Sequence, residues 1–169
     1  IHELDLLSVF VNILSSIGTS GISLGEVQDN FALYLLILTL LGGSVLSTTS
    51  GIKFIRIYIL IKALFVEMYK LVKPNVIISS NILFSEKKIN AENIKMSFLI
   101  FILFFLSLFI LSSILLVDTL NFESSFKLSI LTLTNTTASN IYGIEKIQFA
   151  NLFTFSKISL IIFMVIAKV

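Results

Sequence analysis

The chain has 169 residues, of which 56% are hydrophobic and only 13% charged, with a mean hydropathy of +1.03; it is too apolar for an ordinary soluble domain. It has no cysteine, which excludes disulfides and thiolate metal sites, and its net charge of +2 gives no footing for a nucleic-acid partner. One histidine and ten acidic residues, scattered without a paired constellation at helical spacing, also disfavour an enzyme.

In chain order, the first predicted element is a short apolar helix over Leu6 to Ile17, followed by the small polar cluster "GTSGIS" from Gly18 to Ser23. A long apolar run from Phe31 to Val72 comes next. As one straight helix it would be ~60 Å long, about twice a bilayer core of ~30 Å, so it must break or leave the membrane. The sequence marks the break at "GGSVLSTTSGIKFIRI", Gly42 to Ile57. A linker from Lys73 to Lys95 carries the single proline, Pro74. Met96 to Val117 is uncharged over its whole length and is the cleanest transmembrane helix. Phe122 to Leu133 is a second short helix, followed by "TNTTASN" from Thr134 to Asn140. The last run, Asn151 to Ala167, carries Lys157 and reads as a membrane helix that stops with the chain. No signal peptide or initiator methionine is visible, so the chain reads as part of a longer membrane protein.

Charge gives an orientation. Eight of the twelve Lys and Arg residues lie between Lys53 and Lys95, whereas residues 1–30 have none and carry Glu3, Asp5, Glu26 and Asp29. By the positive-inside rule the segment from about Lys70 to Lys95 is cytoplasmic, so Phe31 enters from outside and Met96 re-enters from inside.

The order short helix, polar turn, long apolar run occurs twice, offset by roughly 115 residues, a weak internal repeat of the kind transporters use. Each short helix fits either an interfacial helix with an ordinary loop or a re-entrant helix. Non-helical backbone at membrane depth is tolerated where it lines a cavity or is buried in protein, which makes a pore the natural use of the second arrangement.

The stretch from Gly42 to Ile77 resembles the third-repeat inner helix and linker of TrkH-type membrane subunits, in the Trk/Ktr/HKT potassium transporter superfamily. The matching positions are Gly42 and Gly43, Leu46 to Gly51, Ile52-Lys53 with Arg56, and Leu71-Val72-Lys73-Pro74-Asn75. The likeness extends over nearly the whole chain: "FVNILSSIGTSGIS" falls on the third pore helix and filter, and "NFESSFKLSILTLTNTTASN" on the fourth.

The resemblance implies an all-α integral membrane fold of M1-P-M2 repeats, with re-entrant pore helices and a broken inner helix. Residues 1–72 would be the third-repeat pore helix, filter and inner helix, 73–95 a cytoplasmic linker, and 96–169 the fourth repeat up to the start of its inner helix. It implies gated uptake of K+, with no cofactor in this chain. It further implies a homodimer, a cytosolic TrkA-type nucleotide-binding regulatory subunit, and a multi-pass place among the lipids of the bacterial cytoplasmic membrane. The implied filter residues are Thr19, Ser20, Gly21 and Ile22 in one repeat, and Thr136, Thr137 and Ala138 in the other. The implied gate is Ser47, Thr48, Thr49, Ser50 and Gly51, a loop of small residues beneath the filter. Two family glycines read Leu46 and Ser50 here, Thr137 replaces the fourth filter glycine, and the family's Gly-Arg in the fourth inner helix reads Ala167-Lys168, leaving Lys168 as the pore cation. These departures open two alternatives, a poorly selective potassium and sodium pore or a non-conducting regulatory relative.

Overall fold

The computed structural model describes residues 6–22, 24, 29–42, 51–73, 89–118, 120–136 and 152–168. They form six helices and, among the described residues, no strand: α1 (Leu6–Ile17), α2 (Asp29–Leu41), α3 (Phe54–Val72), α4 (Ala91–Val117), α5 (Phe122–Leu133) and α6 (Thr154–Ile166).

Among the described residues, α4 alone is long and apolar enough to cross a membrane; its 27 residues correspond to ~40 Å. It starts five residues before the expected Met96. Asn90 is extended and accepts the Ile94 N–H at 3.2 Å, and Glu92 sits in the first turn, where the helix dipole favours an acid. The polar turn therefore belongs to the helix though not to its apolar span. One face of α4 packs inward through Leu108, Leu111 and Leu115, while Phe98, Leu103, Leu106 and Phe109 are exposed. Such apolar exposure suits a helix bordering lipid.

The run from Phe31 to Val72 is broken, as its length requires. Its first half is α2, which begins at Asp29, two residues early. Its second half is α3, which ends just before Pro74, where a preceding residue is pushed out of the helical region; Lys73 has φ −136° and ψ 86°. α3 carries Arg56, Lys62, Glu67 and Lys70, with Lys70 2.7 Å from Glu67, and lies against α4.

α4 is the spine, with α3, α5 and α6 packed on it. Leu111 and Leu115 of α4 join Leu128 of α5 and Leu160 of α6 in one buried cluster. Small hydroxyl residues let these helices approach closely: the Ser112 hydroxyl donates to Ser129 Oγ at 3.0 Å, and Ser129 donates to the Ser125 carbonyl at 2.7 Å. α2 bridges the two short helices. Its Leu35 packs with Leu131 of α5, and Ile13 of α1 lies against that pair. α6 begins at Thr154 rather than Asn151, because the buried Asp118 carboxylate at the end of α4 accepts the Phe153 N–H at 2.9 Å. An acid at a helix N-terminus is favoured by the dipole, and this one joins the end of α4 to the start of α6.

Candidate functional site

Both short helices end in the same device. At α1, the Thr19 N–H donates to the Ser16 carbonyl at 3.3 Å and the Ser20 N–H to the Ser15 carbonyl at 3.1 Å. At α5, the Asn135 N–H donates to the Thr132 carbonyl at 3.1 Å and the Thr136 N–H to the Leu131 carbonyl at 2.8 Å. This is the Schellman pattern, which needs one residue in the left-handed region; Thr19 (φ 46°) and Asn135 (φ 56°) supply it. Asparagine tolerates that conformation, whereas β-branched threonine is a true outlier there, a kind of strain that clusters at functional positions. Helix limits and caps superpose at a constant offset of 116 residues, so the repeat visible as a sequence rhythm is also a repeat of backbone geometry.

The two caps lie side by side. Gly21, with φ 72°, is so close to the α5 turn that a Cβ on it would sit 3.9 Å from the Thr136 Cα. Thr136 and Thr134 are buried, their hydroxyls 2.8 Å apart, and Thr134 also donates to the Ile130 carbonyl at 2.9 Å. On the α1 side the Ser15 and Ser20 hydroxyls are 3.0 Å apart.

The break between α2 and α3 arrives at the same place. Gly42 (φ 64°) donates its N–H to the Leu38 and Thr39 carbonyls at 3.2 and 3.1 Å. Ten residues later the buried Ile52 returns its N–H to the Leu40 carbonyl at 3.3 Å. The chain thus leaves the last turn of α2 and rejoins it. Gly51 (φ 96°) is wedged in between; a methyl group there would lie 3.3 Å from the Thr39 and Leu40 carbonyl oxygens and 3.7 Å from the Thr134 methyl. Ala167, at the end of α6, packs on the cluster of Leu108, Ile130 and Leu133.

The C-terminal ends of α1, α2, α5 and α6 therefore converge near Thr134 and Thr136, while α4 runs alongside. Each such end carries about half a negative charge from its unpaired carbonyls. Among the described residues, no group of His, Cys, Asp or Glu is placed to hold a metal ion. What the convergence offers a cation is carbonyl and hydroxyl oxygen, ligands that suit a hard, weakly held ion.

Of the residues singled out by sequence, Thr19, Ser20, Gly21 and Ile22 form the turn after α1, and Thr136 faces Gly21. Gly51 lies beside Thr134. Lys168 is exposed, one residue past the α6 cap, with its N–H on the Val165 carbonyl at 3.1 Å. Ser47, Thr48, Thr49, Ser50, Thr137 and Ala138 lie outside the described residues. One residue that sequence reasoning missed belongs here. Asn12, buried in α1, accepts the Leu24 N–H at 3.0 Å and donates to the Leu24 carbonyl at 3.1 Å, tying the segment beyond Gly21 back against the helix. Its signal was a lone amide within "LLSVFVNILSSI", where a buried amide must find partners.

No family model matches the chain. It is 27% identical over 153 residues to an uncharacterized cation transporter of Methanocaldococcus jannaschii, across 83% of this chain and 32% of that protein. The chain thus spans about a third of the length of this relative. Among the described residues, the all-helical architecture with an apolar α4 is compatible with a membrane protein.

Proposed function

We propose that this chain supplies two of the filter turns of a Trk/Ktr/HKT-type pore, and that the pore takes up K+ across a cytoplasmic membrane. The observation that carries this reading is the pair of matching capped helices, α1 and α5, whose turns meet at Gly21 and Thr136. The negative ends of four helices and a lining of carbonyls and hydroxyls would replace part of the hydration shell of the ion. In this reading Ser47 to Gly51 is the gate, hung from the last turn of α2 beside the end of α5, and Lys168 supplies a positive charge at the same level. A homodimer and a cytosolic nucleotide-binding regulatory subunit complete the proposal. The full-length protein should restore growth of a transport-deficient bacterium on limiting potassium, and Gly21→Ser should abolish that rescue. Growth restored equally by both would remove Gly21 from the conduction path.

A second reading is favoured by one position. The offset of 116 residues aligns Thr137 with Gly21 in the repeat, and a β-branched side chain cannot follow a glycine into a left-handed conformation without strain of about 1–3 kcal/mol. The fourth filter turn would then offer a different ligand set, and discrimination between potassium and sodium would be poor. Thr137→Gly should raise the ratio of rubidium to sodium uptake in vesicles containing the full-length protein. A wild type already strongly selective, with the ratio unaltered by the substitution, would exclude Thr137 from ion coordination.

A further inference from the structure

Asn12 and its partner Leu24 are twelve residues apart in sequence, and the two bonds between them use both polar ends of one amide and both polar groups of one peptide residue. The Asn12 side of both bonds is buried, at 2% exposure, which strengthens them. Between the two residues lies the whole turn that contains Thr19 to Ile22. That turn is therefore held at two points, by the Schellman cap at its start and by the Asn12 amide at its end. At the offset of 116 residues the counterpart of Asn12 is Leu128, a buried leucine in the α4–α5–α6 cluster. The fourth-repeat turn begins on the Thr134–Thr136 hydroxyl pair.

We infer that Asn12 is a positioning residue for the ion site, setting the direction of the Gly21 and Ile22 carbonyls through its grip on Leu24. This rests on the reading of residues 19–22 as a filter turn. The carbonyl of Leu24 accepts from the Asn12 amide, which fixes the backbone direction at the far end of the turn. Losing the amide frees the far end of the turn, and the carbonyls then sample directions in which they coordinate less well. The two repeats differ at this position, with Asn12 in α1 where α5 has Leu128.

The test is rubidium uptake by the full-length protein in vesicles, with Asn12→Leu copying the counterpart residue. The half-saturating rubidium concentration should rise about fivefold, the factor that ~1 kcal/mol represents, while maximal uptake per folded molecule changes little. A residue needed only for folding would lower the amount of active protein and leave the half-saturating concentration unchanged, which would overturn the inference. Should the leucine variant not fold, Asn12→Asp serves in its place. As a neutral acid it both donates to and accepts from Leu24; as a carboxylate it only accepts. Relative to wild type at each pH, its rubidium affinity should be near normal in acid and weaken as the pH rises. The titratable groups on the helices packed around α1 are Asp29 and Tyr34 on α2 and the Glu123–Lys127 pair on α5, all shared with the wild type and cancelled by that ratio. Affinity that instead tightens with rising pH would mark position 12 as a pore-lining charge and overturn its role through Leu24. Gly21→Ser, measured alongside, separates the two levels. If it removes uptake while both Asn12 variants match wild type, the filter stands and the Asn12 inference falls; if it too matches wild type, the filter reading falls.

Discussion

Gly21 and Gly51 both have left-handed backbone angles, yet they are constrained differently. At Gly21 a methyl group would meet only the Thr136 Cα, at 3.9 Å, an ordinary contact, so the demand for glycine there is torsional. Placing an L-residue in that region costs about 1–2 kcal/mol. At Gly51 the torsional demand is joined by two backbone oxygens at 3.3 Å, which belong to the last turn of α2 and cannot move without opening it. Gly21→Ala should therefore lower the stability of the full-length protein in detergent by ~1–2 kcal/mol, and Gly51→Ala by clearly more. Thermal unfolding followed by helix signal ranks them; equal midpoints would mean that the α2 end yields to Gly51. The glycines were legible in the sequence because the resemblance pointed to both neighbourhoods. The left-handed Thr19 was not, since threonine carries no sequence signal for a conformation it rarely adopts.

Among the helices, α1 and α5 were legible to the residue, because each is an apolar run closed by a small polar cluster and each cap needs only local hydrogen bonds. The starts of α2 and α4 were read two and five residues late, and that of α6 three residues early. The first turns of α2 and α4 contain Asp29 and Glu92, polar residues that an apolar pattern omits but a helix N-terminus favours. The α6 start also depends on Asp118, thirty-five residues away, a tertiary contact invisible to local pattern. The same holds for the pairing of Asn12 with Leu24 and for the meeting of Gly21 with Thr136. The break between α2 and α3 was forced by length, and its geometry gives the gate proposal a mechanical content. Gly42 and Ile52 are both bonded to the last turn of α2, so the intervening segment is an excursion closed at its neck. Deleting Ser47 to Ser50 shortens the excursion without displacing α3. Loop-closure entropy changes by only about 0.6 kcal/mol for a doubling of length, so stability should hold. Ion flux should rise and its regulation weaken, measured as rubidium uptake by the full-length protein at matched expression. Unaltered flux in a normally folded protein would assign these residues to helix packing.

Among the described residues, the C-terminal ends of α1, α2, α5 and α6 gather beside α4. In the proposed orientation, with the Lys- and Arg-rich segment from Lys70 to Lys95 inside, α4 would run outward over ~40 Å, enough to cross, whereas α1, α2, α5 and α6, of 12 or 13 residues, would run inward for only ~18–20 Å. Measured against a hydrocarbon core of ~30 Å, helices of that length starting at the outer surface would end beyond its midpoint but short of its inner face. The proposal sets their C-termini at that depth, together with the turns at Gly21 and Thr136 and the neck of the α2–α3 break. The opposite orientation would set the same turns facing a basic outer segment and reverse the sense of uptake, so orientation bears directly on function. The 169 residues hold no cysteine, which makes single-cysteine labelling direct in this stretch. In intact cells expressing the full-length protein, Glu26→Cys, before α2, should react with a membrane-impermeant maleimide. Ser85→Cys, between α3 and α4, should react only after the membrane is permeabilised. The reverse pattern would overturn the orientation and the pore proposal together, because the converging helix ends would then face a path entered from the wrong side.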